Sequence, residues 1–383
     1  MENLVNPMFA NLYQGKKVLL TGHTGFKGSW LAEWLLMLGA EVTGYSHRVY
    51  DSPDHFTALG LEKRMRHVIG DVRNLGALEK VIQETKPDFV FHLAAQPLVR
   101  LSYREPVETM STNVMGTVNL LDALRRVSHP VACVVVTSDK CYENREVLHG
   151  YHESDALGGH DPYSASKGAA EIVAHSYRRS YFMSANSPVR MATARAGNVI
   201  GGGDWAEDRI VPDCVRSLMR GESISVRNPV ATRPWQHVLE PLSGYLWLGA
   251  ALTGRITLPR AIDRSVFSSA FNFGPWLEAN RNVEELVNEL LKHWSGAWHD
   301  ASDHKAVHEA GLLSLTIDKA FHLLQWRPVW DFARNIESTI GWYRDVARDG
   351  AAVRERTQAD ISSYMQDAHR ARVTWAAAAE AEA

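Results

Sequence analysis

The fold of this 383-residue chain is decided by the stretch Val18-Leu19-Leu20-Thr21-Gly22-His23-Thr24-Gly25-Phe26-Lys27-Gly28. A short apolar run passes through three glycines directly into a helix-forming segment, Ser29–Leu38, and Glu41–Tyr45 then resumes as a strand. The pattern predicts a βαβ unit in which a Cβ at any of the three glycines would obstruct the turn, a pyrophosphate, or the packing of helix on strand. Unpaired N–H groups at the start of the helix would suit the phosphates of a dinucleotide. An ordinary glycine turn is the alternative interpretation.

Composition and charge exclude several classes of function. Lysine and arginine total 41 against 44 aspartates and glutamates, a formal charge of -3 without a basic block, so nothing supports nucleic-acid binding. Met1–Gln14 lacks the features of a signal peptide, and the apolar run Tyr245–Leu252 is too short to span a bilayer, so we expect a cytoplasmic protein without membrane association. Cys133, Cys141 and Cys214 are odd in number and lack metal-ligand spacing, which predicts neither a disulfide framework nor a metal site.

Strand-like and helix-like segments alternate through the first half of the chain. Strands are predicted at Arg66–Val72, Asp88–Ala94, Val131–Thr137 and Val189–Arg195, and helices at Leu75–Lys86, Val107–Arg126 and Tyr163–Phe182. The alternation predicts an α/β protein with a doubly wound parallel sheet and ligands beyond the carboxyl ends of its strands. Small and polar residues follow three strands there, at Leu93-Ala94-Ala95-Gln96, Thr137-Ser138-Asp139-Lys140 and Ala196-Gly197-Asn198.

The alternation of predicted strands and helices becomes irregular after Asn198, where three glycines and several prolines interrupt it. We expect an N-terminal extension at 1–15, a dinucleotide-binding domain at 16–198, a smaller α/β substrate lobe at 199–345 with some segments returning to the first domain, and a tail at 346–383. Amphipathic helices are predicted at Val283–Trp294, Ile317–Leu324 and Trp330–Arg344. From Ala351 the pattern thins, so the tail is expected to fray.

Tyr163 and Lys167 stand four residues apart at the start of a predicted helix, so both project from one face. A phenol titrates near pH 10, and bringing it toward 7 requires about 4 kcal/mol of preferential stabilisation of the phenolate. A neighbouring ammonium and a nicotinamide cation could supply that energy, and the phenolate could then remove a proton from a sugar hydroxyl. Taken alone, the pair is better explained as a helix-start aromatic and a solvated lysine. The glycine-rich turn upstream and the small residues between the two favour the functional interpretation.

Together these motifs, in this order, resemble the extended short-chain dehydrogenase/reductase family from about Lys16 to Arg344. The resemblance implies that the glycine-rich turn holds NAD(P), that Asp71-Val72 contacts the adenine, that Leu93-Ala94-Ala95 lines the nicotinamide side and that Asn113 supports the site. The implied cofactor-binding set is Thr21, Gly22, Thr24, Gly25, Phe26, Gly28, Ser46, Asp71, Val72, Leu93, Ala94, Ala95, Asn113, Tyr163 and Lys167.

A second constellation, Thr137-Ser138-Asp139-Lys140-Cys141-Tyr142, resembles the segment in which nucleotide-sugar 4,6-dehydratases carry a hydroxyl residue, an Asp and a base. The base is usually Glu in relatives that act on thymidine- and GDP-sugars; the Ser-Asp-Lys form is similar to members that act on CDP-activated glucose. By that resemblance Tyr163 takes the proton of the carbon 4 hydroxyl and Ser138 hydrogen-bonds the same oxygen. Lys140 would remove the carbon 5 proton, and Asp139 would protonate the departing water. A surface ion pair of Asp139 and Lys140 is the alternative.

Substrate anchoring is implied more loosely. Gln96 ends the polar segment Leu93-Ala94-Ala95-Gln96 and is included in the substrate-binding set. Asn198 matches the family's asparagine at the sugar-phosphate end, and Arg209 and Arg233 match positions where positive side chains meet the diphosphate. For Arg209 a solvated face is nearly as good an explanation. His237 and the pair His308–Glu309 are family landmarks to which no role is assigned.

One departure concerns the choice of cofactor. NAD-dependent Rossmann folds usually end their second strand with an acidic residue that binds the adenosine ribose. This chain has Gly44-Tyr45-Ser46-His47-Arg48, and Arg48 could pair with the 2′-phosphate of NADP. The CDP-glucose enzymes that it resembles share the serine and use NAD. We therefore expect NAD, bound more loosely than in relatives with the acid.

Other interpretations remain open at this point. A nucleotide-sugar 4-epimerase would keep Tyr163 and Lys167 but has no use for Asp139 and Lys140, and a dinucleotide-sensing regulatory protein would keep the glycine turn and often lack the tyrosine. The helices at Val107–Arg126 and Tyr163–Phe182 resemble those that form the dimer interface in the family, so a homodimer or a dimer of dimers is expected. An apolar helix face also packs on a sheet, which is the alternative.

Overall fold

The computed structural model describes residues 8–47, 54–258, 263–302, 312–348 and 350–377. Its strands are β1 Lys17–Thr21, β2 Glu41–Ser46, β3 Arg66–Ile69, β4 Phe89–His92, β5 Val131–Val136, β6 Val189–Ala196, β7 Val199–Ile200, β8 Ile224–Val226, β9 Thr232–Pro234, β10 Gln236–His237, β11 Ala270–Phe273, β12 Asn280–Asn282 and β13 Trp298–Asp300. Among these, seven form one parallel sheet in the order β11-β6-β5-β4-β1-β2-β3. The predicted doubly wound sheet is confirmed.

Helices cover both faces of this sheet. In the described residues they are α1 Phe26–Met37, α2 His55–Ala58, α3 Leu75–Thr85, α4 Val99–Arg104, α5 Pro106–Met110, α6 Gly116–Leu124, α7 Pro162–Tyr177, α8 Ile210–Met219, α9 Leu239–Leu252, α10 Val283–His293, α11 Phe332–Tyr343, α12 Val353–Arg370 and α13 Thr374–Ala377. None of the described helices is both long enough and apolar enough to cross a membrane.

Strand β5 shows why the sheet is central. All six of its residues are buried, and alternate ones point to opposite faces because a strand has a period of two. Ala132, Val134 and Val136 belong to the core with α1 and α9, whereas Cys133 and Val135 belong to the core with α3 and α6. A strand covered on both faces must be apolar throughout, and this is why it could be recognised in the sequence.

The strand order reverses between β1 and β4, which lie side by side at the centre of the sheet. Chain connections from these two strands leave in opposite directions, so a crevice opens beyond their carboxyl ends. The glycine-rich turn follows β1, and Leu93-Ala94-Ala95 follows β4. Both therefore meet at the crevice where ligands bind in folds of this kind.

Residues beyond β6 build three small sheets beside the main one. Strands β7 and β10 pair in parallel, as do β8 and β13, whereas β9 and β12 pair antiparallel. Strand β11 returns to the edge of the main sheet, next to β6. The domain boundaries given above remain a prediction.

Two predicted helices differ in form from the expectation. Val107–Arg126 is α5, a π-helical turn Ser111–Met115 and α6 in succession, and the predicted Tyr163–Phe182 ends in a second π-helical turn, Arg178–Phe182. A wider turn changes which side chains share a face, and the first one turns Asn113 into the interior, where it is 2% exposed.

The expectation of a frayed tail was wrong for residues 353–377. Helix α12 packs against α1, α2 and α11, and Trp375 beyond it is fully buried. The Gln358 amide donates to Glu33 Oε1 at 2.7 Å, and the Tyr364 hydroxyl donates to Glu240 Oε2 at 2.7 Å. The tail therefore closes the core around α1 and α9.

Candidate active site

The turn after β1 has no room for side chains at two of its glycines. Gly22 has φ +73°, and a Cβ there would stand 2.6 Å from the Ala94 nitrogen, while one on Gly28 would overlap the Gly22 carbonyl oxygen. Gly25 is the N-cap of α1 and makes no side-chain cap, so the first N–H groups of the helix face the crevice uncapped. The Ala94 N–H donates to Thr21 Oγ1 at 3.2 Å and ties the two central strands together. This cradle fits a dinucleotide pyrophosphate.

The end of β2 carries hydroxyl groups where many dinucleotide folds have a carboxylate. Ser46 is 8% exposed, and its Oγ lies 2.8 Å from Thr24 Oγ1. Asp71, beyond β3, is engaged by Arg73, whose Nη2 donates to it at 2.6 Å; this hydrogen bonding lowers the pKa of the Asp71 carboxyl. Val72 packs where a Cβ on Gly116 would stand.

A buried amide network joins the segment after β4 to α7. The Gln96 N–H donates to Asn113 Oδ1 at 2.8 Å, and Asn113 Nδ2 donates to the Gln96 carbonyl at 3.1 Å and to Ser166 Oγ at 2.8 Å. The Gln96 side chain donates to Thr109 Oγ1 at 2.8 Å. The network fixes the position of α7, which carries Tyr163, relative to the crevice.

Tyr163 and Lys167 lie on the first turns of α7, whose N-cap Asp161 accepts from the Ser164 N–H at 2.9 Å. Both side chains are buried, and Lys167 Nζ is 6.0 Å from the centre of the Tyr163 ring. Burial raises the pKa of Tyr163 to about 12, whereas the neighbouring Ser138 hydroxyl lowers it. Burial lowers the pKa of Lys167 to about 8. The geometry brings the predicted pair together, and in the ligand-free protein the phenol keeps its proton.

Ser138 and Asp139 face the same phenol from the end of β5. Ser138 Oγ donates to Asp139 Oδ1 at 2.9 Å and accepts from the Lys140 N–H at 3.2 Å, and the same hydroxyl is close enough to Tyr163 to lower the pKa of the phenol. Asp139 is 2% exposed, so it does not form the surface ion pair that was the alternative. Its Oδ2 is buried and has no hydrogen-bond partner among the described residues. Lys140 follows in the same 3₁₀ turn, Asp139–Cys141, and is partly buried.

A buried ion pair behind the site was not predicted from the sequence. Arg195 Nη2 donates to Glu171 Oε2 at 2.7 Å, and Thr137 Oγ1 donates to Glu171 Oε1 at 2.5 Å. Glu171 is one helical turn beyond Lys167, a spacing that could have revealed it. The ion pair joins β6 to α7, and the Thr137 hydrogen bond joins the end of β5 to the same helix. Ser138 and Asp139 are thereby held close to Tyr163.

Lys27 is a further residue that sequence reasoning missed. It lies in the first turn of α1, within the glycine-rich motif, and is partly buried. Burial lowers the pKa of Lys27 to about 8; the charge of Asp139 opposes this, whereas Arg209 and Lys167 lower it further. Since the charges of Asp139, Arg209 and Lys167 all act on Lys27, the ammonium group of Lys27 lies in the same site as Asp139.

Two of the predicted substrate residues, Arg209 and Arg233, come from elements that follow β6 in the chain. Arg209 is the N-cap of α8, and its Nη1 donates to Asp204 Oδ2 at 2.7 Å. Arg233 lies on β9 and is 9% exposed. The next residue, Pro234, is near the site, because a Cβ on Gly197 would stand 3.2 Å from Pro234 Cγ and 3.0 Å from Asp139 Oδ2.

Asn198 is partly buried between β6 and β7. Arg48 and the pair His308–Glu309 lie outside the described residues. Within the described ranges, no group of three or more His, Cys, Asp or Glu side chains could hold a metal ion.

Comparison with known proteins places this geometry in a family. The family model for GDP-mannose 4,6 dehydratase matches residues 19–339. CDP-glucose 4,6-dehydratase of Salmonella typhimurium is 45% identical over 361 residues, which are 93% of this chain and 98% of that protein. Among solved structures, epimerase Mth375 of Methanothermobacter thermautotrophicus has a TM-score of 0.73 at 23% identity, covering 92% of this chain and 99% of its own. The dTDP-glucose 4,6-dehydratase of Bacillus anthracis, solved in complex with NAD, has a TM-score of 0.67 at 21% identity, covering 86% and 96%.

Proposed function

This chain belongs to the GDP-mannose 4,6 dehydratase family, and from that membership we propose that it converts CDP-D-glucose to CDP-4-dehydro-6-deoxy-D-glucose and water, a step of deoxysugar biosynthesis. The reaction is an intramolecular redox dehydration catalysed by a hydro-lyase. One observation carries the proposal: Ser138, which is hydrogen-bonded to Asp139, is close enough to Tyr163 to lower the pKa of its phenol, so a proton acceptor and a proton donor line the same pocket.

NAD is the proposed cofactor. When bound, it would take a hydride from carbon 4 of the sugar and return it to carbon 6. The turn at Gly22 and Gly28, with the uncapped start of α1, would hold its pyrophosphate, and Thr24 and Ser46 would meet the adenosine ribose through hydroxyl groups rather than a carboxylate. Looser retention of NAD follows from that difference, because a hydroxyl binds the ribose less strongly than a charged acceptor does.

The catalytic roles proposed for the side chains follow from their chemistry. Tyr163 removes the proton of the carbon 4 hydroxyl, and Lys167 supports the phenolate through its nearby charge. Once carbon 4 is a ketone, the proton on carbon 5 is acidic; Lys140 removes it and returns it to carbon 5 when carbon 6 is reduced. Asp139 then protonates the hydroxyl leaving carbon 6; its Oδ2 is available for this, because it has no hydrogen-bond partner within the described ranges. Ser138 hydrogen-bonds the oxygen on carbon 4.

Gln96, Asn198, Arg209 and Arg233 are proposed to bind the nucleotide sugar. Arg209 already contributes positive charge that lowers the pKa of Tyr163, so its guanidinium acts on the reacting end of the pocket. A planar guanidinium can bind a diphosphate with two hydrogen bonds at once. The proposed nucleobase of the substrate, cytosine, rests on the similarity to the Salmonella enzyme.

A homodimer, or a dimer of such dimers, is proposed on the basis of apolar side chains that α5, α7 and the turn between α5 and α6 leave exposed. Val107 is 81% exposed, Met115 48% and Ile172 60%. Large exposed apolar side chains on adjacent helices are typical of an interface. A cytoplasmic location is proposed as well, and it agrees with the free thiols of all three cysteines.

The proposal is tested by incubating the protein with NAD and with CDP-, dTDP-, UDP- and GDP-activated glucose, and then weighing the products. Dehydration of the CDP sugar with loss of one water supports it. An isomer of unchanged mass would indicate a 4-epimerase, and binding of NAD without turnover a dinucleotide-sensing regulator. Protein freed of cofactor and reactivated only by NADP would overturn the choice of NAD.

A further inference from the structure

The groups proposed for water loss and those proposed for oxidation lie on different elements. Asp139 and Lys140 belong to the segment Thr137–Tyr142, which follows β5, whereas Tyr163 and Lys167 lie on α7. Both sets must act on one sugar, so the distance between the segment and the helix has to be fixed. A misplacement of about 1 Å can slow a reaction by about 10²-fold.

The turn in the middle of this segment is held only weakly by its own hydrogen bonds. Asp139–Cys141 is a single 3₁₀ turn, which the Tyr142 N–H closes by donating to the Asp139 carbonyl at 3.4 Å. Hydrogen bonds of a 3₁₀ turn have poorer geometry than those of an α-helix. The turn rests on α7, because a Cβ on Gly168 would stand 3.2 Å from the Cys141 carbonyl oxygen. Its position therefore depends on contacts with neighbouring elements.

One carboxylate on α7 is linked to both ends of the segment. At the start, Thr137 Oγ1 donates to Glu171 Oε1 at 2.5 Å. At the end, the Tyr142 hydroxyl accepts from Arg195 Nη1 at 2.7 Å, and Arg195 Nη2 donates to Glu171 Oε2 at 2.7 Å. The same hydroxyl donates to Asn272 Oδ1 at 2.7 Å, so the direction of its proton is fixed as well. The residues between Thr137 and Tyr142 are thus bracketed by two links to Glu171.

Glu171 and Arg195 provide a rigid point for these links. Their side chains are 3% and 4% exposed. Glu171 Oε2 also accepts from Thr193 Oγ1 at 2.8 Å, so this oxygen has two donors and the other has Thr137. A buried ion pair often adds little net stability, because removing two charges from water offsets their attraction. Stability alone therefore does not account for this ion pair, whereas a need for fixed geometry does.

On the basis of the proposed function, we propose that Glu171 and Arg195 are positioning residues for the reaction. They set the distance between the segment Thr137–Tyr142 and the helix that carries Tyr163 and Lys167. The helix holds the oxidation groups at the sugar, and the two links hold the proposed acid and base there. Water loss thereby follows oxidation without delay. Loss of either link should slow water loss more than oxidation.

Thr137→Val and Tyr142→Phe each remove one link and keep the shape of the side chain. Thr193→Val is the matched control, because it removes a hydrogen bond to a carboxylate oxygen that Arg195 still holds, and it leaves both links intact. Enzyme in excess is mixed with NAD and CDP-glucose. The absorbance of reduced nicotinamide then reports oxidation, and the mass of the quenched product reports water loss.

In Thr137→Val and in Tyr142→Phe we expect water loss to slow by about tenfold, while oxidation changes by less than about twofold. The double variant should slow water loss by about 10²-fold, the size expected for a misplacement of about 1 Å. Thr193→Val should leave the ratio of the two rates as in the wild-type protein.

A second measurement needs neither cofactor nor substrate. Amide hydrogen exchange of peptides that contain residues 137–142 reports how firmly the segment is held in the ligand-free protein. Exchange should be faster in Thr137→Val and Tyr142→Phe but not in Thr193→Val. Tyr13→Phe removes another buried tyrosine hydroxyl, which donates to the Leu246 carbonyl at 2.6 Å, and it should leave this exchange unchanged.

The proposal is overturned if Thr137→Val and Tyr142→Phe slow oxidation and water loss by the same factor, if they change neither rate, or if a control variant alters the ratio equally. Circular dichroism checks folding. In Tyr142→Phe, Arg195 keeps Glu171 and the Glu153 carbonyl as partners, so no buried charge is left unpaired. Failure of the proposed function is a separate result. The wild-type protein would then release no water from any of the four sugars, and the exchange comparison would still test the two links.

Discussion

Gly28 packs directly on Gly22, with no space for a Cβ between the first turn of α1 and the Gly22 carbonyl oxygen. Gly28→Ala must therefore push the helix away from the turn that follows β1, and we expect NAD binding to weaken by at least tenfold. Gly76→Ala is the matched control, since its Cβ would meet nothing nearer than 3.7 Å on the exposed start of α3. Calorimetric titration with NAD measures both variants. Equal affinity for NAD in the two variants would contradict the assignment of the turn after β1 as the pyrophosphate site.

Lys140→Ala should separate oxidation from water loss. Tyr163 and Lys167 are unchanged in this variant, so CDP-glucose should still reduce bound NAD, visible in the absorbance of the reduced nicotinamide. Without the base, the carbon 5 proton stays and the product with one water less should fall by about 10²–10⁴-fold. A variant that still dehydrates at the wild-type rate would show that another group is the base.

The ionisation of Tyr163 should respond to the cofactor. Burial raises the pKa of Tyr163 to about 12 in the ligand-free protein. The positive charge of oxidised nicotinamide favours the phenolate, so NAD should shift that pKa downward and extend activity to lower pH. The ultraviolet phenolate absorbance, titrated with and without NAD, reports the shift, and Tyr163→Phe identifies the signal. No change on adding NAD would argue against Tyr163 as the proton acceptor.

Lys27 should report the charge of Asp139. The pKa of Lys27 is about 8, lowered mainly by burial, and the Asp139 carboxylate acts in the opposite direction. Asp139→Asn removes that negative charge, so the pKa of Lys27 should fall further. Nuclear magnetic resonance of the ¹³C-methylated lysine measures it, with Lys27→Met for assignment and the exposed Lys292 as a control. An unchanged Lys27 pKa would mean that the two side chains are not neighbours in solution.

The tail should contribute to stability. Trp375 is fully buried and stacks on Phe9 at 5.0 Å between ring centres and on Tyr364 at 5.8 Å. Trp375→Ala should lower the free energy of unfolding by about 3–5 kcal/mol, as is typical of a buried tryptophan. Trp276→Ala, at a residue 41% exposed, should cost much less. Urea denaturation compares them, and a similar small loss in both would mean that the tail is loosely packed.

The central sheet could be predicted because the patterns that specify its strands and turns each lie within a short stretch of sequence. A strand covered on both faces is a continuous apolar run, as in β5, and glycines mark the turn that follows β1. Tyr163 and Lys167 could be paired because helical spacing brings them together. Their distance from Ser138 could not be predicted, since it depends on how β5 and α7 pack.

The tail was missed because α12 has few large apolar residues on its buried face. Its buried residues follow the helical period, yet only Ile361 and Tyr364 among them are large and apolar or aromatic; the others are Thr357, Asp360 and Ala368. A search for apolar periodicity does not detect such a helix. Lys27 was missed for another reason: the glycines around it explained the motif, and the direction of its side chain became evident only with Asp139 and Arg209 in place.

The contact of α1 with the tail has a consequence for biosynthesis. Trp34 on α1 packs edge-on against Tyr364 and Trp375, so this helix is completed by residues that are translated about 330 positions later. At roughly 5–20 residues per second, the outer face of α1 waits on the order of half a minute for its cover. A nascent chain stalled before Tyr364 would display that tryptophan, and chaperones that bind exposed aromatic surface would have their longest opportunity there.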